Sequence, residues 1–448
     1  MSMSVLVIAN DFSAINVAIP TMEEDFSTGV NTIQWVVNAY ALTFGVMIVT
    51  GGRLADMFGR RRAFFIGTAI FASMSALGGA AQSEAWLIAT RVLMGIGGAL
   101  MWPAILGMTF ALLPAEKAGL AGGIILGAAG LGNAIGPLIG GVLTDALSWR
   151  WIFFLNVPIS AFAVFVTYRL VQVEEPEVEE QRIDYPGIAA ISVGLVSLLI
   201  ALDQVDDWGW GDPRVIAMLA LAAVLIAAFV PIERRAGMSA LVPRSVMRNE
   251  SFRASCVAIT LMSATFFAAL LYLPQFMQKH LDYSPLEAGV GILPFLGTFA
   301  IVSFIAGPLY NRVGAKPLAV LGAACITLAP FAFSQVTESS GYGSLVAGML
   351  ILGIGIGSFY PTATTAGVTS VDESQSSLAG GILYMCQIAG GAIGLGLTTT
   401  VFSAQDTFVD GIQAAFRLDA GLSFLGFLVA LLFVGGRLWR RPTAPRTA

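Results

Sequence analysis

Two side chains set the chemical problem. Asp11 stands inside the apolar run MSMSVLVIANDFSAINVAIP at residues 1 to 20, and Arg91 inside WLIATRVLMGIGGAL at residues 86 to 100. A charge placed in hydrocarbon is expensive enough that it is kept for a function or answered by a partner. At about 1.5 Å per helical residue, Asp11 is near the middle of its run. Burial there disfavours a charged carboxylate and moves its proton exchange toward physiological pH, as a proton-coupled cycle needs. The same negative charge could attract a cationic substrate. Arg91 keeps its proton, so its part would be to bias a nearby carboxylate or hold an anionic group. The plainer readings are a structural Asp11 bonded to a neighbouring helix and an Arg91 reaching the interface from the outer end of its own.

A second constellation is GGRLADMFGRRR, residues 51 to 62, with four arginines and an aspartate in a chain that is only 11% charged. Gly52 and Gly59 permit a tight turn and close helix approach. Asp56 can accept hydrogen bonds from a helix N-terminus or an arginine, and Arg60 and Arg61 would face the cytosol. Such a cluster can form in one conformation and break in another, which makes it a latch; the plainer reading is a stop signal for membrane insertion. A degenerate copy follows at Gly307-x-Leu309-x-Asn311-x-x-Gly314-x-Lys316. A third stretch carries Gly132, Gly136, Pro137, Gly140 and Gly141. Small residues four apart let another helix approach closely, and Pro137 bends the segment.

The elements that hold these residues follow from composition. With 56% hydrophobic residues and a mean hydropathy of +0.81, much of the 448-residue chain must have lipid as its solvent, so the fold class is all-α integral membrane. About 20 apolar residues are needed per crossing. Fourteen runs qualify: 1 to 20, 33 to 52, 63 to 82, 86 to 113, 118 to 143, 150 to 171, 186 to 203, 213 to 233, 252 to 276, 288 to 308, 317 to 336, 343 to 366, 377 to 402 and 419 to 437. The first has no basic leader and no cleavage pattern, so it reads as a helix that ends at Pro20, and its start at Met1 suggests a missing short leader. Of 23 lysines and arginines, 18 fall in alternate loops on one side and 4 on the other, which places both termini in the cytoplasm. The repeat divides the chain into a six-helix unit at 1–171, linkers with an extra helix pair (186–203 and 213–233) at 172–250, and a second six-helix unit at 251–448.

Several function classes drop out. A net charge of -5 argues against nucleic-acid partners. Cys256, Cys325 and Cys386 have no partner at a motif spacing, so neither a disulfide nor a metal site is expected. The lone histidine, His280, reads as a solvated loop residue, and EEPEVEE at 174 to 180 as a solvated spacer. There is no phosphate-binding GxxxxGK and no nucleophile motif, so neither an enzyme nor a cofactor is expected.

Taken together, these motifs resemble the major facilitator superfamily, and within it the fourteen-helix drug:proton antiporter group. GGRLADMFGRRR resembles the family's loop between helices 2 and 3, RVLMGIGGAL its helix-4 motif, and LGNAIGPLIGGVL (131 to 143) its helix-5 antiporter motif. DFSAINVAIP and WRWIFFLNVP (149 to 158) are similar to the patterns of helix 1 and of the approach to helix 6 in that group. The resemblance spans nearly the whole chain. It implies two six-helix bundles plus two inserted helices, alternating access, proton coupling that involves Arg91, and a seal against ion leak in helix 5.

Polar residues expected to line the central cavity are Asn16, Gln34, Asn38, Tyr40, Asn133, Tyr272, Gln275, Tyr384 and Gln387. Trp35, Phe266, Phe267, Phe359, Tyr360 and Met385 would add an apolar wall. Such a pocket suits amphipathic organic compounds better than sugars. Helix 13 carries Tyr384 and Gln387 where some members have an acid, which makes dications poor candidates. The expected protein is a monomeric, proton-driven exporter in the cell membrane, whose partners are a small-molecule substrate, protons and the lipid bilayer. The alternatives are a dedicated metabolite, lipid or siderophore transporter on the same fold, and a transport-inactive sensor.

Overall fold

The computed structural model describes residues 1–171, 184–237 and 240–435; the acidic stretch 174–180, Arg182 and the arginines from 437 onward lie outside them. Fourteen helices are long and apolar enough to cross a membrane. They are α1 (Ser2–Phe26), α2 (Val30–Phe58), α3 (Arg60–Gly79), α4 (Glu84–Leu112), α5 (Ala118–Ala146), α6 (Arg150–Leu170), α7 (Tyr185–Asp203), α8 (Pro213–Ala236), α9 (Glu250–Lys279), α10 (Leu293–Val313), α11 (Ala315–Phe333), α12 (Gly343–Val368), α13 (Ser376–Ser403) and α14 (Phe408–Phe433). In hydrocarbon a helix satisfies its own backbone, so such runs have little other choice.

Packing repeats itself eight helices later. Within the first six, α1 packs on α5, α2 on α4, and α3 on both α4 and α6. Among the last six, α9 packs on α13, α10 on α12, and α11 on both α12 and α14. Two bundles of like build result, and they meet at two equivalent crossings, α2 against α13 and α5 against α10. The inserted α7 rests on α2 and α13, while α8 packs on α7 and is only 11% buried in its most apolar stretch.

Several expected boundaries move. Pro20 does not end α1, which continues to Phe26 and stops where Ser27 turns left-handed at φ 50°. GGRLADMF is helical rather than a loop: α2 runs to Phe58, and the turn falls on Gly59 alone, at φ 101°. Its repeat is the same, with Gly314 at φ 86° between α10 and α11. Gly52 therefore serves packing rather than a turn. The last helix begins at Phe408, eleven residues before the expected start. The first residues of the tenth run, 288 to 291, belong to a separate short helix, Pro285–Gly291. His280 is half-buried rather than fully solvated; its ring lies 4.7 Å from that of Phe276, and its Nδ1 is 3.6 Å from Glu338. Cys256 on α9 and Cys386 on α13 are free thiols.

Glycine decides how close the crossings come. α5 carries two glycine faces. Gly119, Gly123 and Gly127 lie on α10, where a Cβ on Gly123 would sit 2.7 Å from the Cα of Gly307. Gly132, Gly136 and Gly140 lie on α1, against Leu6, Ser13 and Ala14. Sequence LAGG at 120–123 recurs at 378–381, and both copies do the same work: Gly381 meets the Ile48 carbonyl of α2 as Gly123 meets α10. Gly123→Ala should lower the melting temperature in detergent, because overpacking costs about 1–3 kcal/mol. Gly297→Ala, on α10 with nothing within 4 Å, should leave it level or raise it, since alanine is favoured over glycine in a helix by roughly 0.5–1 kcal/mol. Equal shifts in the two variants would contradict this account of the crossing.

Candidate functional site

Asp11 and Arg91 are brought together at the centre of the first bundle, both fully buried. Arg91 Nη1 donates to Asp11 Oδ2 at 2.5 Å, and the Arg91 Nε donates to the Val36 carbonyl of α2 at 2.7 Å. The other carboxylate oxygen accepts from Asn156 Nδ2 of α6 at 2.8 Å, and that amide also donates to Ser75 Oγ of α3. Arg91's guanidinium sits 4.2 Å from the ring centre of Tyr40, a cation–π contact that strengthens when water is excluded. Five helices thus converge on one ion pair. Two expectations are corrected. Arg91 does not reach an interface, and Asp11 presents no free charge to a cation, because its oxygens are taken and its surface is closed. Asn156 was not singled out by sequence reasoning; the signal was an amide in the apolar run WIFFLNVP.

The cavity lies on the other side of Tyr40. It encloses about 840 Å³ between the two bundles, counting its open mouth. Tyr40, Phe44 and Trp102 line it from the first bundle, and Phe266, Phe267 and Phe299 from the second. Tyr384 closes one side, with its ring 4.5 Å from that of Trp102 and 5.5 Å from that of Phe44. Asn133 and Gln387 supply its amides, and no acidic or basic side chain among the described residues lines it. Phe44, Trp102 and Phe299 are members that sequence reasoning passed over; the signal for Trp102 was an aromatic next to Pro103 in mid-helix.

Other expected lining residues lie elsewhere. Tyr272 is buried inside the second bundle, its hydroxyl donating to Thr399 and its ring stacked 5.2 Å from Phe402. Tyr360 is also interior, with its hydroxyl 3.1 Å from Ser263 Oγ, and its neighbour Phe359 is fully buried. Gln275 accepts from Lys279 on the same helix, and Asn16 is exposed and donates to the Phe12 carbonyl of its own. Gln34 is exposed, whereas Trp35, Asn38 and Met385 are half-buried, and none of the four borders the cavity.

Toward the arginine-rich face the cavity is shut at both crossings. Asp56 accepts from the backbone amides of Ser377 (3.2 Å) and Leu378 (2.8 Å), the start of α13, and from Arg60 Nε (3.1 Å). A carboxylate at a helix N-terminus is stabilised by the unpaired amides and the helix dipole. Arg60 is itself buried, and reaches the Gly107 carbonyl of α4 and the Glu373 carbonyl of the second bundle. Gly52 lets this happen: a Cβ there would lie 2.7 Å from the Ser377 carbonyl. The mirror crossing uses Asn311, whose Oδ1 accepts from the Gly119 amide at the start of α5 at 2.9 Å. Arg61 stays on its own side, donating to the Tyr168 carbonyl. Pro137 and Gly141 of α5 sit toward the opposite face, close to Gly289 and Leu286 of the short helix.

Comparison with known proteins gives the arrangement a family. The family model described as the Major Facilitator Superfamily matches residues 1–395 and, again, 254–448. The chain is 33% identical over 451 residues to the puromycin resistance protein pur8 of Streptomyces alboniger, spanning 97% of this chain and 87% of that one. It is 30% identical over 412 residues to the tetracenomycin C resistance and export protein of Streptomyces glaucescens, spanning 92% of this chain and 76% of that one. Against the multidrug transporter protein MdtP of Bacillus subtilis the identity is 30%, covering 89% and 74%. Among solved structures, the human organic anion transporter MFSD10 superposes with a TM-score of 0.68 at 15% identity, covering 96% of this chain and 98% of that one, a likeness of fold alone. With its two like bundles, paired crossings and matching family model, the chain belongs to the Major Facilitator Superfamily, and so to the membrane transport proteins rather than to the enzymes.

Proposed function

We propose that the chain is a proton-coupled antiporter that exports apolar or amphipathic aromatic compounds by alternating access. One observation carries this reading: an uncharged aromatic cavity and a sealed Asp11–Arg91 pair share a single ring, Tyr40. Its relatives' names, which speak of puromycin, tetracenomycin C and multidrug resistance, point to the same substrate class.

In this reading a proton reaching Asp11 neutralises the carboxylate and releases Arg91. The guanidinium is then held by the Val36 carbonyl and the face of Tyr40, so its movement changes one wall of the cavity. A substrate pressing on Tyr40 acts in the reverse sense, as linkage requires. Stacking on Trp102, Tyr384 and the phenylalanines holds a flat apolar molecule, and Asn133 and Gln387 orient its few polar groups. The α5 glycines keep α1, the carrier of Asp11, seated on the bundle. Residues 1–171 and 251–448 are the moving units, with the inserted pair riding on the α2–α13 crossing. The arginine-rich face is cytoplasmic, the membrane is the cell membrane, and the protein works as a monomer.

Accumulation of a fluorescent lipophilic compound in expressing cells tests this directly. Wild type should lower accumulation, and both a protonophore and Asp11→Asn should abolish the effect at equal expression. Efflux that survives the substitution would make Asp11 a purely structural residue, and no efflux by wild type would favour a dedicated metabolite as substrate. Stability gives an independent check. Asp11→Asn leaves Arg91 as an unpaired buried charge and should cost about 3–5 kcal/mol, whereas adding Arg91→Gln should restore part of the lost melting temperature. A double variant less stable than Asp11→Asn would contradict the pairing.

A further inference from the structure

One buried carboxylate takes no part in the site described above. Asp419 lies on α14, eleven residues after Phe408, and is 0% exposed. At about 1.5 Å per residue this is roughly 16 Å into the helix, near mid-depth. Neither of its side-chain oxygens has a hydrogen-bond partner among the described residues. Asp11, buried to the same degree, has donors on both.

Its level in the second bundle follows from the contacts on either side. Phe416, one turn toward the opposite face, lies 4.9 Å from the Phe333 ring of α11 and 6.2 Å from the Tyr272 ring of α9. Gly426, two turns toward the arginine-rich face, lies against Met262 of α9. Asp419 is therefore level with Ala268 and Ala269 of α9, both fully buried, and with Ala329 and Pro330 of α11. Proline has no N–H, so the Ile326 carbonyl lacks its usual helical donor at this level.

No ionised group answers Asp419 from the helices around it. On α9 the titratable groups are Tyr272, bonded to Thr399, and the free thiol Cys256, with Glu250, Arg253 and Lys279 toward the helix ends. On α11 they are Cys325 and Lys316, whose ammonium donates to the Ala430 carbonyl. Tyr384 of α13 faces the cavity, and on α14 itself Asp410 accepts from the Thr407 hydroxyl at the outer end while Arg417 is exposed and bonded to Gln413. An ion without a partner in such a place is far costlier than a neutral acid with a carbonyl in reach.

We propose that Asp419 is a second proton-carrying site of the transport cycle, in the bundle that lacks the Asp11–Arg91 pair. The proton binds a carboxylate oxygen in the conformation described and leaves to water when α9 and α14 reorient; no other bond forms or breaks. α9 links this event to the substrate, since Phe266, Phe267 and Leu270 line the cavity while Ala268 and Ala269 are buried at the level of Asp419. The inference rests on the proton-coupled reading above.

The test uses the full chain in vesicles carrying a luminal pH dye, with substrate and proton flux measured together. Wild type that moves substrate without protons would overturn the proton-coupled reading and this proposal with it. Given coupled flux in wild type, Asp419→Asn should lose one proton per substrate and flatten the pH dependence of transport, while Asp419→Glu keeps both. An Asp419→Asn variant with the wild-type ratio and pH profile would overturn the proposal and leave the coupled reading intact. Should Asp419→Asn fail to fold, infrared difference spectra of wild type with and without substrate decide. A protonated-carboxyl band that changes on substrate binding and shifts in Asp419→Glu supports the site, and its absence overturns it.

Discussion

Asp56 makes the charged contact that joins the two bundles at the arginine-rich face. Its carboxylate is spent on the first amides of a helix in the opposite bundle and on Arg60, which in turn reaches both bundles. If the bundles separate at that face, Asp56 loses both amides and Arg60 loses the Glu373 carbonyl, while the Asp56–Arg60 pair and the Gly107 contact stay within the first bundle. Asn311 does the same at the mirror crossing with one bond and no charge. The two latches differ in strength, because charge-assisted hydrogen bonds are roughly twice as strong as neutral ones. Glycine makes both possible by removing the side chains that would hold the backbones apart.

Charge inside the first bundle obeys a second constraint. Arg91 cannot shed its proton, so everything around it is arranged to answer a permanent cation: a carboxylate, a carbonyl and an aromatic face. Because Tyr40 belongs both to that set and to the cavity wall, a change in the pair cannot leave the cavity untouched. Among the described residues the second bundle has no equivalent arginine at its centre, and its buried Asp419 carboxylate is left without a donor.

Much of this was legible in the chain. Crossing segments announce themselves by length and hydropathy, and a lone Asp11 or Arg91 in an apolar run is conspicuous because hydrocarbon tolerates it so poorly. The repeat Gly52…Asp56…Gly59 showed where two halves would correspond. What stayed hidden was direction. Hydropathy does not say which face of a helix meets the cavity, so Tyr272 was expected there and Trp102 was not. Asp419 escaped because Gln413 and Arg417 lower the local hydropathy and pull the apparent start of the last span inward, placing a mid-depth residue at an edge. Gly52 and Gly59 were expected to serve a tight turn and close helix approach together, since glycine suits both, and only the φ at Gly59 assigns the turn to one and the packing to the other. The LAGG pair at 120–123 and 378–381 was the available signal for the opposite side of each latch.

The measurement that tests the latch most directly is a distance. Spin labels at Lys117→Cys and Arg312→Cys, both exposed at the ends of α5 and α10, in a background lacking Cys256, Cys325 and Cys386, report the Asn311 crossing while Asp56→Asn weakens the other. The account predicts one short distance in the otherwise unaltered protein without substrate, and a second, longer population when Asp56 is replaced. A distribution that superimposes on the unaltered one would contradict it, because the bundles would then be held together by something other than Asp56.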